Sequence, residues 1–269
     1  MRALVTGASR GGIGGAVCRR IARDAAASGE PLTLTFSTTG KSDSDGDMLL
    51  AQELTSAGAR VQFIPGDLTD AEFPTLLAQQ AIDFGQGLDA VVSNAGIARP
   101  VRLTETCLKD WDDIIALHAR APWLLAKAVF PALRQSRGAF VATGSISGTS
   151  PHANLGAYPV AKAALIMMCQ TLAVEWGQAG VRVNVVSPGP IRTPISAKTY
   201  RDPAAIAADH AARAEVIPLR RMGDPDDVAA VIAFLISSDA SFVTGENVLV
   251  DGGVTRSGLE RVVIRRRDK

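Results

Sequence analysis

Tyr158 and Lys162 lie four residues apart in the segment Tyr158-Pro-Val-Ala-Lys162. On a helix that spacing puts a phenol and an ammonium on one face, a turn apart. A phenol ordinarily keeps its proton to about pH 10, too tightly for acid–base work at neutrality, and a neighbouring cation lowers it by roughly 2–4 units. The pair therefore reads as an acid–base group that exchanges a proton with an oxygen. Ser145 lies thirteen residues upstream, just past a strand candidate. Its hydroxyl can hydrogen-bond an oxygen on which negative charge is building. Ser147 offers a second hydroxyl nearby.

A second constellation opens the chain. Thr6-Gly7-Ala8-Ser9-Arg10-Gly11-Gly12-Ile13-Gly14-Gly15 follows a strand candidate and begins a helix candidate. Strand, glycine loop and helix in that order form a dinucleotide cradle: the backbone approaches a pyrophosphate and the helix offers free N–H groups. The candidate contacts are Gly7, Ser9, Arg10, Gly12, Ile13 and Gly14. An NAD site usually carries a carboxylate at the end of the second strand for the adenosine ribose. Here that place reads Ser37-Thr38-Thr39-Gly40-Lys41, and Asp43 comes only after Gly40 and Lys41; the alternative is that Lys41 starts a solvated loop, 41–47, with three acids of its own. Hydroxyls with Lys41 and Arg10 suit a 2′-phosphate, so NADP(H) is expected, with NAD(H) as the alternative. A dinucleotide beside a phenol–ammonium pair points to hydride transfer between nicotinamide and a carbonyl.

The elements that must position these groups alternate. Strand candidates are Arg2–Thr6, Leu32–Ser37, Arg60–Ile64, Leu88–Ser93, Gly138–Thr143, Val181–Val186 and Asn247–Val250. Helix candidates between them are Ile13–Ala27, Gly46–Ala57, Asp70–Phe84, Cys107–Arg134, Leu155–Gly177 and Pro225–Ser237. Such alternation predicts an α/β, Rossmann-type doubly wound fold: a central seven-stranded parallel sheet flanked by helices on both faces. Pro122 predicts a kink in the long fourth helix. One domain is expected over residues 1–254, with 194–222 as a substrate loop or lid and 255–269 as a basic tail.

Composition narrows the classes. The chain has 269 residues, 47% hydrophobic, with a formal net charge of +1. The tail holds six bases and two acids, so the remaining 254 residues carry 22 bases against 25 acids. A body of that sign has no nucleic-acid footprint; binding through the tail alone would be salt-dependent. The longest apolar run, 228–236, is too short to span a bilayer, and the opening Met-Arg followed by Ala3–Val5 leads us to expect no signal peptide. Cys18, Cys107 and Cys169 form no metal-spaced set and read as small core residues in a reduced, cytoplasmic protein. No metal site is expected.

Thr6–Gly14, Asp67-Leu68, Asn94-Ala95-Gly96, Gly144-Ser145, Tyr158-xxx-Lys162, Pro188-Gly189 with Thr193, and Val243-Thr-Gly245 to Asp251-Gly-Gly253 together resemble the short-chain dehydrogenase/reductase family, from Arg2 to about Gly253. The resemblance implies catalysis by Ser145, Tyr158 and Lys162, with Lys162 also holding the nicotinamide ribose. The family's thirteen-residue spacing selects Ser145 over Ser147. It places Asp67 and Leu68 against adenine, Asn94, Ala95 and Gly96 beside the cofactor, and Pro188, Gly189, Ile191 and Thr193 along nicotinamide and diphosphate. It also implies a homotetramer built on the fourth and fifth helices and the last strand.

Two departures stand out. The glycine loop has one residue more than the family's usual spacing, which bears on the reach of Arg10. His118 stands where the family commonly has the asparagine that holds a water leading from the lysine to solvent. An imidazole titrating near neutrality is expected to relay that proton. Among relatives, enoyl reductases place lysine seven residues after tyrosine, where this chain has Leu165. Acyl-carrier-protein ketoreductases are closer by motif, and Arg99, Arg102 and Arg137 are candidates to grip an acidic carrier. The expected substrate is a small carbonyl or alcohol, or a carrier-bound acyl chain. The alternatives are an NAD-dependent alcohol or sugar dehydrogenase and a catalytically silent cofactor-binding regulator.

Overall fold

A computed structural model describes residues 1–40, 44–194 and 203–257. Its strands are β1 Arg2–Thr6, β2 Thr33–Thr38, β3 Arg60–Pro65, β4 Ala90–Ser93, β5 Ala139–Thr143, β6 Arg182–Pro188 and β7 Asn247–Val250. They form one sheet in the order β3-β2-β1-β4-β5-β6-β7, every neighbouring pair parallel. The helices are α1 Ile13–Ser28, α2 Ser44–Ser56, α3 Phe73–Gly85, α4 Leu108–Ile115, α5 Ala121–Ser136, α6 Tyr158–Trp176, α7 Pro203–Val216 and α8 Pro225–Ile236. The central strands are apolar along their length because helices cover both faces. One face packs Val17 and Ile21 of α1, Leu50 and Leu54 of α2, and Val228 and Ile232 of α8. The other packs Leu77 of α3, Leu125 and Val129 of α5, and Leu165, Ile166 and Trp176 of α6.

The strand order reverses between β1 and β4. Chains leaving those two strands diverge to opposite sides, and a crevice opens beyond their carboxyl ends. The sequence-selected residues from Gly7 to Thr193 lie at the ends of β1 to β6 and in the loops that leave them, apart from Ile13 and Gly14 at the start of α1 and His118, Tyr158 and Lys162, which arrive on later helical segments.

The single kinked helix expected over 107–134 is instead two helices joined by a π turn, Ala116–Arg120. The Ala121 N–H donates to the carbonyl of Ala116, five residues back. Pro122 falls in the first turn of α5, where a missing N–H leaves no helical bond broken. Its effect is thus to end one helical register and start another. Cys107 is exposed, contrary to the core placement expected of it, while Cys18 and Cys169 are buried. Among the described residues no helix is long and apolar enough to cross a membrane. Lys41, residues 195–202 of the expected lid, and residues 258–269 of the tail lie outside the described residues.

Candidate active site

The phosphate loop is shaped by close approach. Gly7 has φ +65°, and a Cβ there would come within 2.5 Å of the Ala95 Cα. A Cβ on Gly14 would lie 2.5 Å from the Gly7 carbonyl oxygen, and one on Gly12 would lie 2.6 Å from Ser9 Oγ. Gly12 caps α1 without a side-chain hydrogen bond, so no side chain competes for the helix's first amides. A backbone cradle kept clear of side chains, opening a helix with an uncapped positive end, fits a pyrophosphate.

Asn94 ties this loop to the acid–base group. Its amide donates to the carbonyls of Thr6 at 3.2 Å and Gly7 at 2.9 Å. Its own carbonyl accepts from Thr143 Oγ1 at 3.0 Å. The Thr143 backbone carbonyl in turn accepts from Lys162 Nζ at 2.6 Å. One line of hydrogen bonds thus runs from the ends of β1, β4 and β5 to the ammonium on α6. Thr143 is the link that sequence reading did not single out: a threonine ending a strand carries no signal of its own.

Tyr158 begins α6 and Lys162 follows one turn later, with Nζ 5.7 Å from the centre of the phenol ring. Ser145, in extended backbone after β5, hydrogen-bonds the phenol. The Ser147 N–H donates to Ser145 Oγ at 3.1 Å, so Ser147 orients Ser145 through its backbone. The expectation that Lys162 lowers the Tyr158 pKa is corrected. Burial raises the phenol, and the opposing hydrogen bond comes from Ser145. Lys162 is itself pushed down to about 7 by burial. Its ammonium is turned onto the Thr143 carbonyl, which spends one of its donors away from the phenol.

His118 lies in the π turn, 1% exposed, with its ring edge-on to Tyr158 at 5.1 Å. Nε2 lies 2.9 Å from the Ile97 carbonyl oxygen and 3.2 Å from the Ile97 nitrogen. Nδ1 is buried without a partner. Burial, then the Lys162 charge, lowers its pKa to about 3. The expectation of an imidazole titrating near neutrality is therefore wrong: this ring is neutral through the physiological range.

At the adenosine side, Ser37 Oγ is buried without a partner. Thr38 Oγ1 donates to Asp47 Oδ2 at 2.5 Å and accepts from the Gly40 N–H at 3.0 Å. Asp47, within the helix expected over 46–57, is 2% exposed in the first turn of α2. Arg10 is paired with Glu53 at 2.6 Å. Asp67 Oδ1 accepts from the N–H and hydroxyl of Thr69, and Leu68 is buried beside it. Gly189 donates to the Val250 carbonyl at 2.9 Å, and Ile191 bridges to Gly223. Thr193 is partly buried. Of the three arginines considered for a carrier, Arg99 is held by Asp110 and Asp113. Arg102 lies 3.9 Å from Glu105. Arg137 precedes β5, at the edge of the sheet opposite the site.

A family model described as "Enoyl-(Acyl carrier protein) reductase" matches residues 7–255. "Dehydrogenase/reductase SDR family member 4" of Bos taurus is 34% identical over 253 residues, covering 93% of this chain and 86% of that protein. "Oxidoreductase UcpA" of Salmonella typhimurium is 34% identical over 261 residues, 94% of each chain. The solved structure of a blue fluorescent protein from a metagenomic library in complex with NADPH superimposes with TM-score 0.82 at 32% identity, covering 94% of this chain and 96% of that one. A dehydrogenase/reductase from Sinorhizobium meliloti 1021 superimposes with TM-score 0.81 at 29% identity, covering 94% of each.

Proposed function

Because the chain belongs to the short-chain dehydrogenase/reductase family of oxidoreductases, we propose that it interconverts a carbonyl and a secondary alcohol with NADP(H), through Ser145, Tyr158 and Lys162. The observation that carries this reading is the hydrogen-bonded line Lys162–Thr143–Asn94–Gly7, which joins the acid–base group to the nucleotide cradle. When bound, the nicotinamide supplies or accepts the hydride. Ser145 donates a hydrogen bond to the carbonyl oxygen, and Tyr158 gives that oxygen its proton. The raised Tyr158 pKa suits this direction, because the proton to be given is present at neutral pH. Lys162, its ammonium turned onto the Thr143 carbonyl, holds the nicotinamide ribose. His118, neutral and in edge contact with Tyr158, fixes the phenol ring and offers Nδ1 as an acceptor to a water on the proton path.

The 2′-phosphate reading rests on the residues that end β2 and follow it, Ser37-Thr38-Thr39-Gly40, which bring hydroxyls and no carboxylate. Asp47 is buried and occupied by Thr38, and the Ser37 hydroxyl is buried without a partner. The NADPH-bound relative supports it. Within this reading the substrate is a small carbonyl compound and not a carrier-bound chain. Arg99 is neutralised by two aspartates and Arg137 is at the wrong end of the sheet. Residues 1–254 act as one catalytic domain, and the described part of the expected lid, 203–222, borders the substrate. Exposed Val160, Met167 and Val174 form a stripe seven residues apart along α6, and Leu108, Trp111 and Trp123 stand out on α4 and α5. With the exposed Phe242 before β7, these surfaces suit pairing into a homotetramer.

The test is a panel of ketones, aldehydes and secondary alcohols offered with NADPH or NADP+. Turnover of one substrate class with a higher kcat/KM for NADPH than for NADH supports the reading. Cofactor binding with no turnover on any member favours the silent regulator.

A further inference from the structure

We propose that Glu53 competes with the 2′-phosphate of the cofactor for Arg10, and so sets how strongly this chain distinguishes NADPH from NADH. The inference rests on the NADP(H) reading above and concerns a residue on α2 outside the nucleotide cradle.

Arg10 leaves the phosphate loop, yet its guanidinium is committed elsewhere. Nε and Nη2 both donate to Glu53 Oε1, at 2.9 and 2.6 Å. The second oxygen, Oε2, accepts from Arg19 Nε at 2.9 Å. Arg19 Nη1 then reaches the Arg10 carbonyl at 2.9 Å. Two guanidiniums thus converge on one carboxylate, which they hold below the usual carboxylate range.

Position decides what this does. Thr38, ending β2, is bound by Asp47 in the first turn of α2. Glu53 lies six residues beyond Asp47, which is about 9 Å further along the helix axis. The bond to Glu53 therefore draws the guanidinium along α2, away from the end of β2 where a ribose phosphate would lie. The pair is well exposed, with side-chain accessibilities of 46% and 35%. An exposed ion pair is weak, whereas a phosphate dianion makes stronger charge-assisted bonds to arginine. Arg10 can exchange one anion for the other, and the exchange lowers net NADPH affinity. NADH, having no 2′-phosphate, does not call on it.

The test titrates the purified protein with NADPH and with NADH, following nicotinamide fluorescence. It compares wild type, Glu53→Gln, Arg10→Gln and the double variant, with melting curves to verify folding. Glu53→Gln is expected to tighten NADPH roughly three- to tenfold and leave NADH unchanged. In the Arg10→Gln background the same substitution is expected to have no effect. Should Glu53→Gln fold poorly, Glu53→Asp, whose shorter carboxylate reaches less far, is expected to move NADPH in the same direction by less. Weaker NADPH binding in Glu53→Gln, or an equal shift for both cofactors, overturns the proposal. If wild type binds NADH as well as NADPH yet Glu53→Gln tightens NADPH alone, the competition stands and the NADP(H) preference falls. If wild type prefers NADPH and the variant changes neither cofactor, the preference stands and the competition falls.

Discussion

A group that must donate a proton has to hold it until the moment of reaction. Tyr158 is raised by burial and Lys162 is lowered to about 7 by the same cause. Carbonyl reduction needs the protonated phenol, which a raised pKa keeps present from pH 6 to 9, so its rate is predicted to fall only as Lys162 loses its charge above about 7. Alcohol oxidation, which needs the phenol deprotonated, is predicted to rise with pH. Rates measured in both directions from pH 6 to 9 check this; parallel profiles would contradict it. The types and order of Ser145, Tyr158 and Lys162 were legible in the sequence. Their protonation was not, because a pKa depends on how far neighbouring elements bury the group. His118 shows the same limit. Its folded value of about 3 lies below its ordinary 6.5, so the folded protein resists taking up a proton that the unfolded chain accepts. His118 therefore contributes a loss of stability as pH falls from 6.5 to about 3. His118→Asn is predicted to lessen that acid sensitivity by a few kcal/mol, on the order of 1.4 per pKa unit. Denaturant melts at pH 7 and pH 4.5 check it, and an unchanged difference between them would contradict it.

At the scale of elements, the glycine loop and the strand ends are rigidly matched. Gly7 combines a left-handed backbone with a contact that a Cβ would bring to 2.5 Å of Ala95. Gly7→Ala is predicted to cost at least 1–2 kcal/mol of stability from strain at that φ, and to weaken nucleotide binding more than Gly29→Ala does. Gly29 is also left-handed, but nothing lies within 4 Å of the added carbon. Thermal melts with and without NADPH separate the two effects. Thr143→Val keeps the Lys162 contact, which uses the backbone, but removes the hydroxyl bond to Asn94. It is predicted to raise KM for NADPH several-fold with a smaller effect on kcat. The strands were legible from their apolar runs to within one or two residues at most ends. The fourth helix was not: Pro122 was read as a kink within one helix, whereas the chain changes register through a π turn. The helix over 46–57 was legible, but the burial of Asp47 was not, because nothing in a run of acids and serines marks the one that Thr38 holds.

For the whole molecule, the reversal of strand order between β1 and β4 is what gathers loops distant in sequence into one crevice. The parallel sheet with helices on both faces followed from the strand–helix alternation, whereas the order of its strands did not. The apolar stripe of Val160, Met167 and Val174 on α6 remains uncovered in one chain. Met167→Glu and Val174→Glu together are predicted to shift the proposed tetramer toward smaller species in light scattering, with the fold retained. A wild-type monomer at micromolar concentration would contradict the assembly.

The central claim is that Tyr158 supplies the proton in a hydride-transfer reaction. The most direct measurement compares wild type with Tyr158→Phe on the best carbonyl substrate of the panel, reading turnover and NADPH dissociation constant on the same preparations. The substitution removes the hydroxyl but keeps the ring against His118. The account predicts a fall in kcat on the order of a hundredfold or more, with NADPH binding within about twofold of wild type. A variant that keeps most of its turnover, or that loses NADPH binding in proportion to turnover, would contradict it.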